Sequence, residues 1–154
     1  MGRRLRILFL CTGNSCRSQM AEGFARKSFG DRAEVASAGT EPADRVNPLA
    51  VEAMRRLGVD ISSARAKGLD GLPDLRFDLV VTVCDRAREA CPLLPGARML
   101  RWNIPDPAAF HGSPDERREF FARTADDIRG RVEGLGAELG LADRGKSPVP
   151  EVLR

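Results

Sequence analysis

The chain has no tyrosine, one tryptophan and a single histidine, His111, among its 154 residues. It also lacks any Cys-x2-Cys pair: four residues separate Cys11 from Cys16, and six separate Cys84 from Cys91. One imidazole and those spacings argue against a structural zinc site, so no metal is expected. No apolar run approaches the roughly 20 residues that span a bilayer, and the segment from Arg6 to Leu10 is too short even for the apolar part of an export signal. Basic side chains form no block, because the 25 Lys and Arg are interspersed with 22 Asp and Glu to give a formal net charge of +3. Neither a nucleic acid nor a membrane is therefore an expected partner. Repeats, low-complexity tracts and interdomain linkers are missing too. What remains is the composition of a soluble, cytoplasmic protein, 42% hydrophobic and 31% charged. Its length suits one core, expected as a single domain over residues 1–140 with a flexible C-terminal tail over 141–154, and a monomer.

Four cysteines without an export signal favour reactive or redox thiols over a permanent disulfide framework. Their neighbourhoods say more. Leu5 to Leu10 is nearly all apolar, the pattern of a strand buried on both faces of a parallel sheet. It runs straight into Cys11-Thr-Gly-Asn-Ser-Cys-Arg-Ser18, after which Met20, Ala21, Phe24, Ala25 and Phe29 recur at helical spacing up to a stop at Gly30. Val35 to Ser37 predicts a short second strand, and Asn47-Pro48 caps a helix ending near Gly58. Phe77 to Val83, rich in β-branched residues, predicts a central strand delivering Cys84, and Arg98 to Trp102 a weaker fourth. Ser113-Pro-Asp-Glu116 is a capping box opening a last helix that carries Phe120, Phe121, Ile128, Val132, Leu135 and Leu139. Alternating β and α units predict an α/β three-layer sandwich on a four-stranded parallel sheet, with ligands bound beyond the carboxyl ends of the strands. Cys11 and Cys84 both fall at such ends.

A Cys-x5-Arg loop between a buried strand and a helix offers an anion a sulfur nucleophile, a guanidinium and converging backbone N–H groups from Thr12, Gly13, Asn14, Ser15 and Cys16. The same features favour the thiolate form of Cys11 over the thiol. Arg17 can grip two oxygens of a tetrahedral oxyanion at once. Ser18 can donate to the Cys11 sulfur, and Asn14 can fix the loop. A packed cysteine at a strand end is the plain alternative, but the strand, helix and supporting polar residues together favour chemistry. Asp106, in Trp102-Asn-Ile-Pro-Asp-Pro107, lies just past the fourth strand on the same sheet edge. A carboxylic acid there could protonate a departing oxygen, although Asp-Pro is also a common turn.

The run from Cys11 to Gly23 resembles the signature of thioredoxin-coupled arsenate reductases, which share the low-molecular-weight protein tyrosine phosphatase fold. That resemblance implies a flavodoxin-like strand order, arsenate as substrate with phosphate as a competing oxyanion, no cofactor, and thioredoxin or a similar dithiol as partner. It also implies the general-acid role of Asp106. Cys84-x6-Cys91-Pro resembles the resolving pair of these reductases, which phosphatases of the fold lack as a rule. The aromatic pair that phosphatases carry after the acidic Asp-Pro is missing, replaced by Ala108-Ala109.

The implied mechanism is a thiol relay, in which Cys11 attacks arsenic, Cys84 resolves Cys11, and Cys91 moves the disulfide outward to Cys84–Cys91. Were residues 84–91 helical, the two cysteines would sit about 10 Å apart along the axis, against the roughly 4.4–6.8 Å of a disulfide, so bonding them requires unwinding. Weak phosphatase activity is expected alongside. The main alternative is a low-molecular-weight tyrosine phosphatase, a phosphomonoester hydrolase, and a third is an anion-binding sensor without turnover. Cys16 admits both a protective disulfide with Cys11 and a packing role, and His111 is expected to be solvated. Some thioredoxin-coupled reductases hold potassium beside the loop, with ligands that resemble Asn14, Glu22 and Ser37. Their fourth ligand, an Asp, falls at Lys67 here, whose ammonium could supply the charge itself.

Overall fold

The structure, a computed structural model, describes residues 4–84, 94 and 96–141. In chain order these form β1 (Leu5–Cys11), α1 (Arg17–Phe29), β2 (Ala33–Gly39), α2 (Pro48–Arg56), β3 (Leu79–Cys84), β4 (Arg98–Asn103) and α3 (Pro114–Leu139). All strand pairs are parallel, in the order β2-β1-β3-β4. This is the flavodoxin-like order, with its switch point between β1 and β3.

Every expected strand and helix among the described residues is present, with shifted ends. β2 is longer than Val35 to Ser37 because it pairs with β1 along its full length, from Leu5 opposite Ala33 to Cys11 opposite Gly39. Alanine and serine are weak strand formers, so pairing rather than propensity sets its extent. β3 starts two residues later than Phe77, where the Asp78 carboxylate accepts the Arg6 backbone N–H at 2.8 Å and fixes the entry to the sheet. Helix α2 is capped by Asn47, whose side chain accepts the Leu49 N–H, with Pro48 at the first position. The capping box of α3 forms as expected: Ser113 Oγ accepts the Glu116 N–H at 3.1 Å and Glu116 accepts the Ser113 N–H at 2.8 Å.

Strand alternation divides the core. Ile7, Phe9, Leu79, Val81 and Val83 face the helices, together with Phe29, Met54, Phe121, Ile128 and Val132. Leu8, Leu10 and Val80 face the other way, packed with Phe77, Leu69, Leu72 and Leu94. Helix α3 lies close against α1 at Gly136, where an added Cβ would come within 2.7 Å of the Phe29 ring. Phe120 departs from the expected core. It is only half-buried and stacks on Phe110 with ring centroids 4.6 Å apart. Leu141, expected to begin the tail, is buried, and its carbonyl accepts from Arg32 Nε at 3.1 Å. The rest of that expected tail, 142–154, and Cys91 lie outside the described residues. No helix among the described residues is long and apolar enough to cross a membrane.

Candidate active site

The loop joining β1 to α1 turns its carbonyls outward. Cys11, Thr12, Gly13 and Ser15 give their oxygens to the N–H groups of Thr40, Glu41, Ala43 and Asn47 at 2.8–3.1 Å. A trans peptide points its C=O and the following N–H in opposite directions, so the amides of Thr12, Gly13, Asn14 and Cys16 turn inward. Asn14 shows the result, its N–H reaching the Cys11 sulfur at 3.2 Å. Inward amides at the start of a helix with no side-chain cap make a cradle for an anion. The curl needs a left-handed residue, and Asn14, at φ 51°, is the one non-glycine with positive φ among the described residues. Asparagine tolerates that region better than other side chains.

The Asn14 side chain has all four of its hydrogen-bonding positions occupied. Oδ1 accepts the Lys67 backbone N–H at 3.0 Å and Gln19 Nε2 at 2.8 Å, while Nδ2 donates to Ser18 Oγ at 2.8 Å and Ser37 Oγ at 3.0 Å. A backbone N–H can only donate, so the atom facing Lys67 is the oxygen and the amide orientation follows. Ser18 thus accepts from Asn14, and its own proton is left to donate to Cys11 Sγ, 2.8 Å away. Ser37, by the same reasoning, donates to Glu22 Oε1 at 2.6 Å. The Cys11 sulfur thus faces two donors, the Ser18 hydroxyl and the Asn14 N–H. The second carboxylate oxygen of Glu22 accepts from Arg26 at 2.7 Å, and the Lys67 ammonium lies 3.9 Å from the first.

Arg17 closes the loop from the acid side. Its guanidinium is 3% exposed, donates from Nη1 to the Ile104 carbonyl at 3.0 Å, and places Nη2 3.8 Å from Asp106 Oδ2. Asp106 therefore has two attachments. Oδ1 accepts the Ala108 N–H at 3.0 Å to cap a short turn, and Oδ2 faces the anion loop. The turn expected of Asp-Pro forms through one oxygen and leaves the other toward Arg17.

Cys84 ends β3, beside the strand that ends at Cys11. With Leu10 opposite Thr82, Cys84 stands one step past Cys11 on the neighbouring strand. At about 4.8 Å between strands and about 3.3 Å per residue, the Cα atoms are roughly 6 Å apart, within disulfide reach. Alternation nevertheless directs the two side chains to opposite faces of the sheet, Cys11 with Phe9 and Cys84 with Val80. Cys84 is disulfide-bonded, whereas Cys11 and Cys16 are free thiols. Burial pushes the Cys16 thiol up to about 12, which makes it a poor nucleophile and favours packing over a protective disulfide. His111 is exposed, as expected. Among the described residues no group of three or more His, Cys, Asp or Glu is placed to hold a metal ion.

Two supporting residues were not singled out by the sequence. Gln19 is buried and donates to both Asn14 Oδ1 and the Arg65 carbonyl at 2.8 and 2.9 Å. Gly39 ends β2 directly beneath the loop, where a Cβ would stand 2.5 Å from the Thr12 oxygen and 2.9 Å from the Asn14 nitrogen. A polar residue on the buried face of a helix was the available signal for Gln19. For Gly39 there was only a glycine at a strand end.

A thiol seated in an amide cradle at the switch point of a parallel sheet, with a guanidinium and a carboxylate facing it, defines a thiol-dependent oxyanion enzyme of the Cys-x5-Arg class. The family model described as low molecular weight phosphotyrosine protein phosphatase matches residues 6–144, and the chain belongs to that family. It is 47% identical over 137 residues to an arsenate reductase of Bacillus licheniformis, covering 87% of this chain and 96% of that one. An arsenate reductase solved in its oxidized state superposes with a TM-score of 0.72 at 29% identity, over 87% of this chain and 98% of its own. A thioredoxin-dependent arsenate reductase of Corynebacterium glutamicum gives 0.68 at 27% identity, over 91% of this chain. This chain spans 64% of that protein.

Proposed function

We propose that the chain reduces arsenate to arsenite through Cys11, Cys84 and Cys91, and that thioredoxin or a similar dithiol protein recharges it. The observation that carries this reading is the pair of thiol states: Cys84 is disulfide-bonded beside a free Cys11. That is the arrangement left when the relay has run and the nucleophile has been returned. The similarity to arsenate reductases over most of the chain supports the substrate.

The Cys11 thiolate attacks arsenic and forms an S–As bond as an oxygen leaves, protonated by Asp106. Arg17 and the inward amides hold the remaining oxygens where negative charge develops. The Cys84 thiolate then attacks the Cys11 sulfur. An S–S bond forms, the S–As bond breaks, and its electron pair stays on arsenic, which leaves as arsenite. Attack of the Cys91 thiolate on Cys84 frees Cys11 and leaves a Cys84–Cys91 disulfide for the dithiol donor to reduce. Because Cys84 starts on the opposite face of the sheet from Cys11, the strand end must turn for the second step. The chain acts as a cytoplasmic monomer in this reading, where thiols are kept reduced.

Phosphate esters need only Cys11, Arg17 and Asp106, so weak phosphatase activity accompanies reduction. A dedicated tyrosine phosphatase is the second reading, and the family description favours it. The two are separated by measuring arsenite formed with thioredoxin, thioredoxin reductase and NADPH beside p-nitrophenyl phosphate hydrolysis. Cys11→Ser should abolish both activities, while Cys84→Ser and Cys91→Ser should abolish multiple-turnover reduction and spare hydrolysis. Full arsenate turnover by either outer variant would remove the relay.

A further inference from the structure

We propose that Gln19 is a positioning residue for the nucleophile, holding the Asn14 amide in the one orientation that leaves Ser18 free to donate to Cys11. The inference rests on the reading of Cys11 as nucleophile given above. Gln19 is 2% exposed, and its Nε2 is the only nitrogen of that side chain. Both Nε2 hydrogens are used, one on Asn14 Oδ1 at 2.8 Å and one on the Arg65 carbonyl at 2.9 Å. A backbone carbonyl can only accept, so the Gln19 amide is itself fixed by Arg65.

The consequence passes along a chain of amides whose polarity is set at both ends by backbone groups. Arg65 C=O orients Gln19, and Gln19 together with the Lys67 N–H orients Asn14. Asn14 makes Ser18 an acceptor, and the remaining Ser18 proton meets the Cys11 sulfur at 2.8 Å. Gln19 enters twice, because its bond to Arg65 also pins the 65–67 segment that brings the Lys67 N–H to Asn14. Were the Asn14 amide reversed, Ser18 would face an oxygen and give it the proton that Cys11 now receives. The thiolate would lose its closest side-chain donor while the fold stayed intact.

The test uses the full chain with iodoacetamide as probe. The thiolate displaces iodide as the C–S bond forms, so the rate tracks the thiolate fraction, and peptide mass mapping assigns the adduct to Cys11. Gln19→Glu places a carboxylate oxygen opposite two acceptors and is expected to raise the pH of half-maximal alkylation by about one unit, a roughly tenfold lower rate below it. Gln19→Met keeps the volume, removes the donors and should shift it in the same direction by less, which keeps the test open if the Gln19→Glu chain does not fold. In a Ser18→Ala background neither substitution should shift the profile further, because the effect runs through the Ser18 hydroxyl. Wild-type profiles in both Gln19 variants, or equal shifts with and without Ser18, would overturn the proposal. No arsenate enters this assay, so its outcome is separable from the thioredoxin-coupled one: a shifted profile in a chain that forms no arsenite from arsenate in the coupled assay would refute the arsenate reading and leave the positioning role standing.

Discussion

Substituting alanine for Gly39 probes the cradle without changing any side chain that meets substrate. The methyl carbon would stand 2.5 Å from the Thr12 oxygen, 2.9 Å from the Asn14 nitrogen and 3.0 Å from the Gly13 carbon, all of them backbone. Ordinary contact begins near 3.4 Å, so the loop must lift by about 0.9 Å at Thr12. It is held down by the Thr12 carbonyl on Glu41 and the Gly13 carbonyl on Ala43, which would stretch together. Overpacking of this kind costs about 1–3 kcal/mol, a melting temperature lower by roughly 2–12 °C in a chain of this size. The catalytic loss should exceed the stability loss, because a displacement near 1 Å at the reacting group can cost on the order of a hundredfold. The assay pairs differential scanning calorimetry with kcat/KM for arsenate and for p-nitrophenyl phosphate, which share the cradle. Both kcat/KM values should fall together by about ten- to a hundredfold. An unchanged kcat/KM in a chain destabilised as expected would mean that the loop moves without harm, and the claim that Gly39 seats the cradle would be lost.

Asp106→Asn keeps a side-chain oxygen for the Ala108 N–H, so stability should hold while turnover of a poor leaving group falls about 10²–10⁴-fold; a loss under about threefold would leave Asp106 only its turn. Burial raises the Cys16 thiol to about 12 from 9.0, so above pH 9 the unfolded chain releases a proton that the folded chain keeps, and stability falls as pH rises through that window. With no tyrosine to titrate there, Cys16→Ala should flatten the decline of the urea midpoint between pH 7.5 and 10.5 (both pH values about one and a half units either side of the onset), and equal slopes would refute it. If the Lys67 ammonium 3.9 Å from Glu22 stands in for a cation, kcat/KM should be the same in sodium and potassium buffers of equal ionic strength, and Lys67→Asp should acquire potassium dependence. Strong potassium activation of the unmodified chain would show that Lys67 does not replace the ion.

The parts of this molecule legible in the sequence are those where local pattern and tertiary role coincide. Leu5 to Leu10 is apolar because both its faces are buried, and Ser113 with Glu116 caps a helix using neighbours three residues apart. Cys11, Arg17 and Ser18 were legible for the same reason, since one loop carries them all. β2 was underestimated because its length is set by its pairing with β1, and Phe120 was misplaced because it answers to Phe110 and not to the helix stripe. Gly39 and Gln19 act on residues 27 and 5 positions away, through backbone clearance and an amide network, and composition records neither.

In the proposed relay, the sheet gives a reason for a third thiol. A parallel register brings the Cys11 and Cys84 backbones to within about 6 Å, yet the pleat sends their side chains to opposite faces, so proximity in the resting fold does not amount to a bond. In that reading, the separation keeps Cys11 from closing on Cys84 before an oxyanion arrives. It also means that a Cys11–Cys84 disulfide can persist only while the strand end is turned away from its place in the sheet. In the proposed relay, attack by Cys91 would return the sheet to register and Cys11 to its cradle in the same exchange. The restored β3 ladder, with Cys84 opposite Asn103 and its carbonyl accepting the Ile104 N–H at 3.3 Å, therefore favours the outward step. In the proposed relay, sheet pairing would favour the outward exchange, because a Cys84 bonded away from Cys11 keeps its place opposite Asn103.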